Sequence, residues 1–217
     1  MEAGLAVVPS HRRSGRLARV GRAAHRLTLV WPALNARIRL RSVTSMGRRV
    51  TLRGRPAVIN EGRITMGDRV RLVSTVARLE LAAVAGGHLE IGNNVFINYG
   101  SSLVASAHVR IGDDCLIGTH VMVMDCDFHR VEDKEWDTTG EPIDIEDRVW
   151  LGNRSMVLKG VTMGHHSVLG AYSLLTRDLP PYSVAYGVPA RVRGRVEIGE
   201  DGSVELLPLA DAAAAEA

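Results

Sequence analysis

Residues 145–179 read IEDRVWLGNRSMVLKGVTMGHHSVLGAYSLLTRDL, and this stretch decides the fold. An aliphatic residue or a methionine returns at every sixth position. An α-helical face would repeat every three or four residues and a strand every two, so a strict period of six fits neither. Six residues suit one flat side of a triangular coil, and three sides make a coil of eighteen. The repeating positions are Ile145, Leu151, Val157, Met163, Leu169 and Leu175.

Earlier coils follow the same rule and carry insertions at their corners. From Met66 to Ile91, Ile111 and Ile145 the steps are 25, 20 and 34 residues, or one coil of 18 plus 7, 2 and 16. A glycine usually follows the repeated aliphatic, which suits a corner with positive φ or a crowded backbone. We therefore expect a solenoid in which each coil buries its aliphatic side chains only against its neighbours.

The composition is that of a folded protein, with 46% hydrophobic, 24% charged and only 4% aromatic residues. This excludes disorder as the main state and disfavours a conventional core rich in large rings. With two cysteines, the chain has no dense disulfide framework and no four-cysteine metal site. The sequence also shows no signal peptide and no transmembrane helix, so we expect a cytoplasmic protein.

The charge is strongly asymmetric, although the net value is only +3. Residues 1–55 hold 13 arginines against a single acid, Glu2. From Leu17 to Trp31 the apolar residues step by 3, 4, 3 and 4, which predicts an amphipathic basic helix. Such a helix either caps the first coil or brings residues 12–31 to the inner face of an anionic membrane, and both interpretations stay open. Nucleic-acid binding is not expected, because the arginines are not interleaved with stacking aromatics.

The 16-residue insertion lies between Val123 and Ile143, and a long polar excursion from a regular solenoid is where function concentrates. It contains His129, whose residue type titrates near neutrality and can accept a proton from a hydroxyl or an amine. A carboxylate on the far ring nitrogen would orient such a base. Three acids are candidates, and the sequence does not choose among them: Asp125, Asp127 and Glu141.

The hexapeptide period and this loop resemble the hexapeptide-repeat acyltransferases, and within them the maltose, galactoside and polysaccharide O-acetyltransferases. The resemblance covers residues 46–195 and implies an all-β, left-handed parallel β-helix with an inserted loop at about 124–142. Residues 1–45 would form a short helical basic segment and residues 196–217 a C-terminal tail. It further implies acetyl-CoA as co-substrate and a homotrimer whose grooves lie between neighbours.

Individual residues are carried over by position in the family's motifs. Residues 123–129 resemble the stretch that ends in the catalytic base, which makes His129 that base. Residues 168–181 and 187–195 resemble the terminal coil and exit loop that line the coenzyme A groove. No metal is implied. The residues expected to contact the cofactor are Asn153, Ala171, Thr176, Arg177 and Arg191, and those expected to contact the acceptor are Asn98 and Asp127.

The acceptor itself is not implied, because the sequence departs from the sugar enzymes beside Asn98. Gly100 stands where they have a second asparagine, and Ala105 and Ser106 replace their paired acids. The leading prediction is an O-acetyltransferase for a sugar or cell-envelope glycan, with an amine or xenobiotic acceptor as the alternative. A different class, the γ-carbonic-anhydrase-like β-helix, needs three metal histidines across a subunit interface. His129 and His165 have a suggestive spacing of 36, but Gly170 stands where the third histidine is needed.

Overall fold

The fold was analysed in a computed structural model that describes residues 30–130, 135 and 137–209. Within them one helix, α1, spans residues 30–39 and precedes 21 strands. The strands are β1 (Ser45–Met46), β2 (Thr51–Gly54), β3 (Ala57–Asn60), β4 (Arg63–Met66), β5 (Arg71–Ser74), β6 (Glu80–Ala83), β7 (His88–Ile91), β8 (Phe96–Ile97), β9 (Ser102–Ala105), β10 (His108–Ile111), β11 (Leu116–Ile117), β12 (Met122–Met124), β13 (Ile143–Ile145), β14 (Trp150–Leu151), β15 (Met156–Val157), β16 (Thr162–Met163), β17 (Val168–Leu169), β18 (Leu174–Leu175), β19 (Ser183–Gly187), β20 (Ala190–Ile198) and β21 (Val204–Pro208).

The strands form three sheets that the chain visits in turn. Face 1 contains β1, β4, β7, β10, β13 and β16; face 2 contains β2, β5, β8, β11, β14, β17, β19, β20 and β21; face 3 contains β3, β6, β9, β12, β15 and β18. Each strand from β1 to β15 pairs in parallel with the strand one coil later, as Ile111 on β10 pairs with Ile145 on β13. The expected all-β, left-handed parallel β-helix is confirmed.

The repeated aliphatic positions point into the prism. From Ile145 to Leu175 none of the six is more than 3% exposed. The positions four residues after each of them are buried as well, and three of these are serines, Ser155, Ser167 and Ser173. Ser155 Oγ donates to the carbonyl oxygen of Gly152 at 2.8 Å, so a polar group at this corner costs little when it is buried.

At the corners between faces 1 and 2, one residue occupies a crowded position and a different residue adopts a positive φ. A Cβ on Gly92 would lie 2.4 Å from Asp113 Oδ1, so glycine is required there by the close approach of the next coil. Positive φ falls instead on the residue two positions later. The equivalent residues of successive coils have φ between 56° and 59°: Asn94, Asp114, Arg148 and His166. Of the two reasons the sequence offered for these glycines, crowding is the one that applies.

The helix α1 packs on the first coil of the stack, and further strands extend the last one. Asn35 of α1 donates through Nδ2 to the carbonyl oxygens of Leu52 at 3.0 Å and Gly54 at 2.9 Å, and Ala36 and Leu40 enter the core. The helix predicted from Leu17 to Trp31 lies outside the described residues except for its last two. At the other end β20 pairs antiparallel with β19 and β21, so residues 196–208 extend face 2. No helix among the described residues is long and apolar enough to cross a membrane.

Candidate active site

One buried carboxylate holds the inserted loop to the preceding coil. Asp125 is fully buried, and its two carboxylate oxygens accept hydrogen bonds from the backbone N–H of Ser106 at 2.7 Å and of Ala107 at 2.8 Å. Its own carbonyl oxygen accepts the N–H of Glu141 at 2.8 Å, at the far end of the loop. Asp125 therefore fixes both ends of the loop to the preceding coil, which is a different role from orienting a histidine.

Lys159 lies one coil further along the chain and braces the same loop by pairing with an acid at each of its ends. Its ammonium lies 2.8 Å from Asp127 Oδ2 near the start of the loop and 3.3 Å from Glu141 Oε1 at its end. The hydrogen bond that the ammonium donates to Asp127, followed by the one it donates to Glu141, raises the pKa of Lys159. Lys159 was not predicted from the sequence, although it is one of only two lysines in a chain with many arginines.

His129 is exposed at the side of the braced loop. The preceding residue, Phe128, has a φ of 62°, and its carbonyl oxygen accepts the N–H of Asp137 at 2.9 Å, which folds the loop back on itself. A shallow pocket of about 190 Å³ opens beside the imidazole. Its lining residues are Asp127, Phe128, His129, Arg130, Asp137, Thr139 and Lys159. An imidazole that opens onto such a polar pocket can exchange a proton with a bound hydroxyl.

The other predicted residues divide between two edges of the prism. Thr176 and Arg177 lie on the edge between faces 3 and 1, which also carries the loop, because Met156 and Val157 of β15 pair with Leu174 and Leu175 of β18. Arg177 thus falls one coil beyond Lys159 and is exposed.

Asn98, Asn153 and Ala171 lie on the edge between faces 2 and 3. Successive coils meet there through the Tyr172 N–H, which donates to the Asn153 carbonyl oxygen at 2.9 Å. Arg191 joins this group, since it pairs with Tyr186, and a Cβ on Gly170 would touch Tyr186. The sequence therefore assigned Asn98 and Asp127 to one acceptor site, whereas one chain holds them on different edges.

The separation of the two edges is set by the width of face 3. Asn153 and Lys159 stand at the two ends of one side of a coil, six residues apart. An extended segment of six residues spans about 20 Å. A single chain therefore holds His129 on one edge and Asn153 and Ala171 on another.

Residues 108–123 and 142–177 match the family model described as the hexapeptide repeat of succinyl-transferase. These two stretches of the chain therefore carry the hexapeptide repeat that this model describes. A galactoside O-acetyltransferase of Escherichia coli is 38% identical over 109 residues, which are 49% of this chain and 54% of that protein. One of Lactococcus lactis is 32% identical over 118 residues, 53% of this chain and 56% of that protein. The chain thus spans about half the length of these curated relatives.

A solved structure supports the fold of this hexapeptide-repeat protein. A hexapeptide-repeat acetyltransferase of Vibrio cholerae, complexed with acetyl coenzyme A, superposes with a TM-score of 0.54. The match covers 82% of this chain and 88% of the other at 24% identity.

The histidines of the carbonic-anhydrase alternative lie on different edges of the hexapeptide-repeat prism. His129 is on the edge between faces 3 and 1, whereas His165 is on the edge between faces 1 and 2. The third position, Gly170, has no side chain to offer. Within the described residues of one chain, these positions do not form a common site.

The hydrogen bonds of Asp125, which hold the inserted loop, lead to a prediction about the stability of this hexapeptide-repeat protein. Replacing Asp125 with alanine leaves one buried and one partly buried N–H group without their charged acceptor, so the free energy of unfolding should fall by about 2–4 kcal/mol. Asp127→Ala is the matched control, because its exposed ion pair should contribute less than about 1 kcal/mol. Urea denaturation measures both, and equal losses would contradict the role given to Asp125.

Proposed function

We propose that this protein is an acetyltransferase that moves the acetyl group of acetyl-CoA to a hydroxyl of a sugar or a cell-envelope glycan, with His129 as the general base. The observation that carries the proposal is the exposed His129 on a braced polar loop, in a chain 38% identical to a galactoside O-acetyltransferase over the part they share. The donor is inferred from these relatives and from the Vibrio cholerae protein, whose structure contains acetyl coenzyme A.

In the proposed reaction, the unprotonated imidazole of His129 accepts the proton of the acceptor hydroxyl while the hydroxyl oxygen attacks the thioester carbonyl. A C–O bond forms, the C–S bond breaks, and the departing thiolate of CoA recovers a proton from the imidazolium. The products are an acetyl ester and CoA with a free thiol. Lys159 keeps the loop in place during this exchange through its pairs with Asp127 and Glu141.

The donor groove is proposed to use residues from both edges. Thr176 and Arg177 are on the edge that carries His129, and Asn153, Ala171 and Arg191 are on the other. Exposed arginines suit the phosphates of CoA, because the guanidinium can donate two parallel hydrogen bonds to them. The small side chain of Ala171 leaves room for the narrow pantetheine arm.

A homotrimer would join these two edges. In a closed ring of three copies, the edge between faces 3 and 1 of one copy can meet the edge between faces 2 and 3 of the next. The outward positions of faces 2 and 3 support this arrangement, because they form apolar ladders suited to burial in an interface. The ladders are Phe96, Leu116, Trp150, Val168 and Val184 on face 2, and Met122, Met156 and Leu174 on face 3.

The role of His129 is tested by His129→Ala. We expect kcat to fall by roughly 10²- to 10⁴-fold, the usual contribution of a positioned base. The melting temperature and the affinity for acetyl-CoA should stay at parental values, because the side chain lies on the exposed loop and outside the aliphatic stack. Release of free thiol from acetyl-CoA, with galactosides and envelope glycans as acceptors, measures turnover.

His165→Ala is the matched control, since it removes a histidine from an edge without proposed catalytic residues and should retain parental turnover. A well-folded His129→Ala protein with parental turnover would contradict the assignment.

A peripheral contact with an anionic membrane is proposed for the N-terminal end of the prism. The outward side of α1 carries Val30, Trp31, Leu34 and Ile38, which are 47–68% exposed. Around it, residues 30–80 contain eleven arginines and three acids. An apolar helix face with a tryptophan, surrounded by basic residues, is suited to the headgroup region of an acidic bilayer. Most of the segment predicted for this contact, residues 12–31, lies outside the described residues.

Co-sedimentation with vesicles tests the membrane contact. The full chain should bind vesicles that contain phosphatidylserine and should not bind vesicles of phosphatidylcholine alone. Changing Trp31 and Ile38 together to serine should weaken binding by about tenfold or more, because two apolar side chains would no longer be transferred from water into the bilayer. Thr162→Ser on the opposite part of the prism is the control. Failure of the parental chain to bind acidic vesicles would overturn this proposal.

A further inference from the structure

Face 1 carries three side chains that could ligate a metal, away from the inserted loop's pocket. His88 and Glu90 lie on β7 and are separated by one inward residue, so both point outward. His108 on β10 is the register partner of His88 in the next coil. The imidazole rings stack with centroids 5.0 Å apart and planes inclined by 8°. One potential ligand atom of each of the three residues lies within 4.8 Å of the other two.

Two imidazoles and one carboxylate are a ligand set for divalent transition metals. Zinc is held by this combination, with nitrogen and oxygen ligands at about 2.0–2.2 Å and a further position left to water. Around such an ion the ligand atoms are about 3.3 Å apart, so atoms that lie within 4.8 Å of one another need to close by at most about 1.5 Å. All three residues are partly exposed, which leaves their side chains free to make this rotation.

The Glu90 carboxylate lies near a histidine and does not pair with the arginine next to it. Arg110, the register partner of Glu90, directs its guanidinium to Asp144 at 2.6 Å. Glu90 Oε2 instead lies 3.3 Å from His108 Nε2. The Thr65 hydroxyl lies 3.0 Å from His88 Nε2 and orients that ring. Burial, followed by the proximity of His108, lowers the pKa of His88, which favours the neutral imidazole that a metal requires.

We propose that His88, Glu90 and His108 bind one divalent transition-metal ion, with Zn²⁺ as the reference ion. The ion would link two consecutive coils, since His88 and Glu90 come from one and His108 from the next. The site is separate from His129 and needs none of the residues proposed for acetyl transfer. It lies beside Ala107, whose N–H holds the root of the inserted loop, so the ion would stiffen the coil on which that loop rests.

Isothermal titration of the metal-stripped full chain with zinc chloride tests the proposal. We expect one Zn²⁺ per chain and a rise in the melting temperature on addition of the ion, because an ion that binds only the folded state stabilises it. Glu90→Gln and His108→Ala should each weaken Zn²⁺ binding by about tenfold or more, because each removes one of three protein ligands.

Two controls separate this site from other histidines and from unfolding. His166→Ala alters the adjacent pair of His165 and His166, where a surface zinc ion could also bind, and it should leave the affinity unchanged. Glu90→Gln preserves the size of the side chain, and circular dichroism verifies that each variant retains its β structure. Parental affinity in both Glu90→Gln and His108→Ala, or a loss of binding only in His166→Ala, would overturn the proposal.

Discussion

The inward aliphatic side chain at every sixth position is the constraint on which the rest of this structure depends. A single coil cannot bury its own apolar residues, so each coil is stable only when its aliphatic side chains pack on those of the next. This stacking fixes the parallel register of all three faces. Insertions are then tolerated only at corners, where they leave the stack intact, and the longest of them carries His129.

The period of six made much of this protein predictable. Positions such as Leu151 and Val157 can be placed inside the prism from spacing alone, and the 16-residue gap before Ile143 shows where the chain leaves the coil. The division of labour at the corners was not predictable, because glycine satisfies both crowding and positive φ. The structure shows that Gly92 occupies the crowded position and that Asn94 has the positive φ.

Contacts between the side chains of neighbouring coils could not be predicted from the sequence, for a physical reason. They join residues about one coil apart, and irregular corner insertions change that separation from one coil to the next. Lys159 reaches both ends of the loop only because β15 stacks on β12. His88 and His108 are 20 residues apart and meet because two extra residues at a corner are absorbed before β10. The 20-residue step from Ile91 to Ile111 implies that these two histidines share a register, but it does not show that their rings stack.

The proposed reaction requires an assembly of several copies, since one chain holds His129 and Ala171 on edges about 20 Å apart. Co-expression of His129→Ala with Ala171→Trp, in which the larger side chain would block the donor groove, tests this most directly. Each variant alone should be inactive. Mixed trimers should regain about a quarter of the parental rate, because random mixing pairs an intact His129 edge with an intact Ala171 edge at that frequency. If the mixed trimers show no recovered activity, the site does not form between copies.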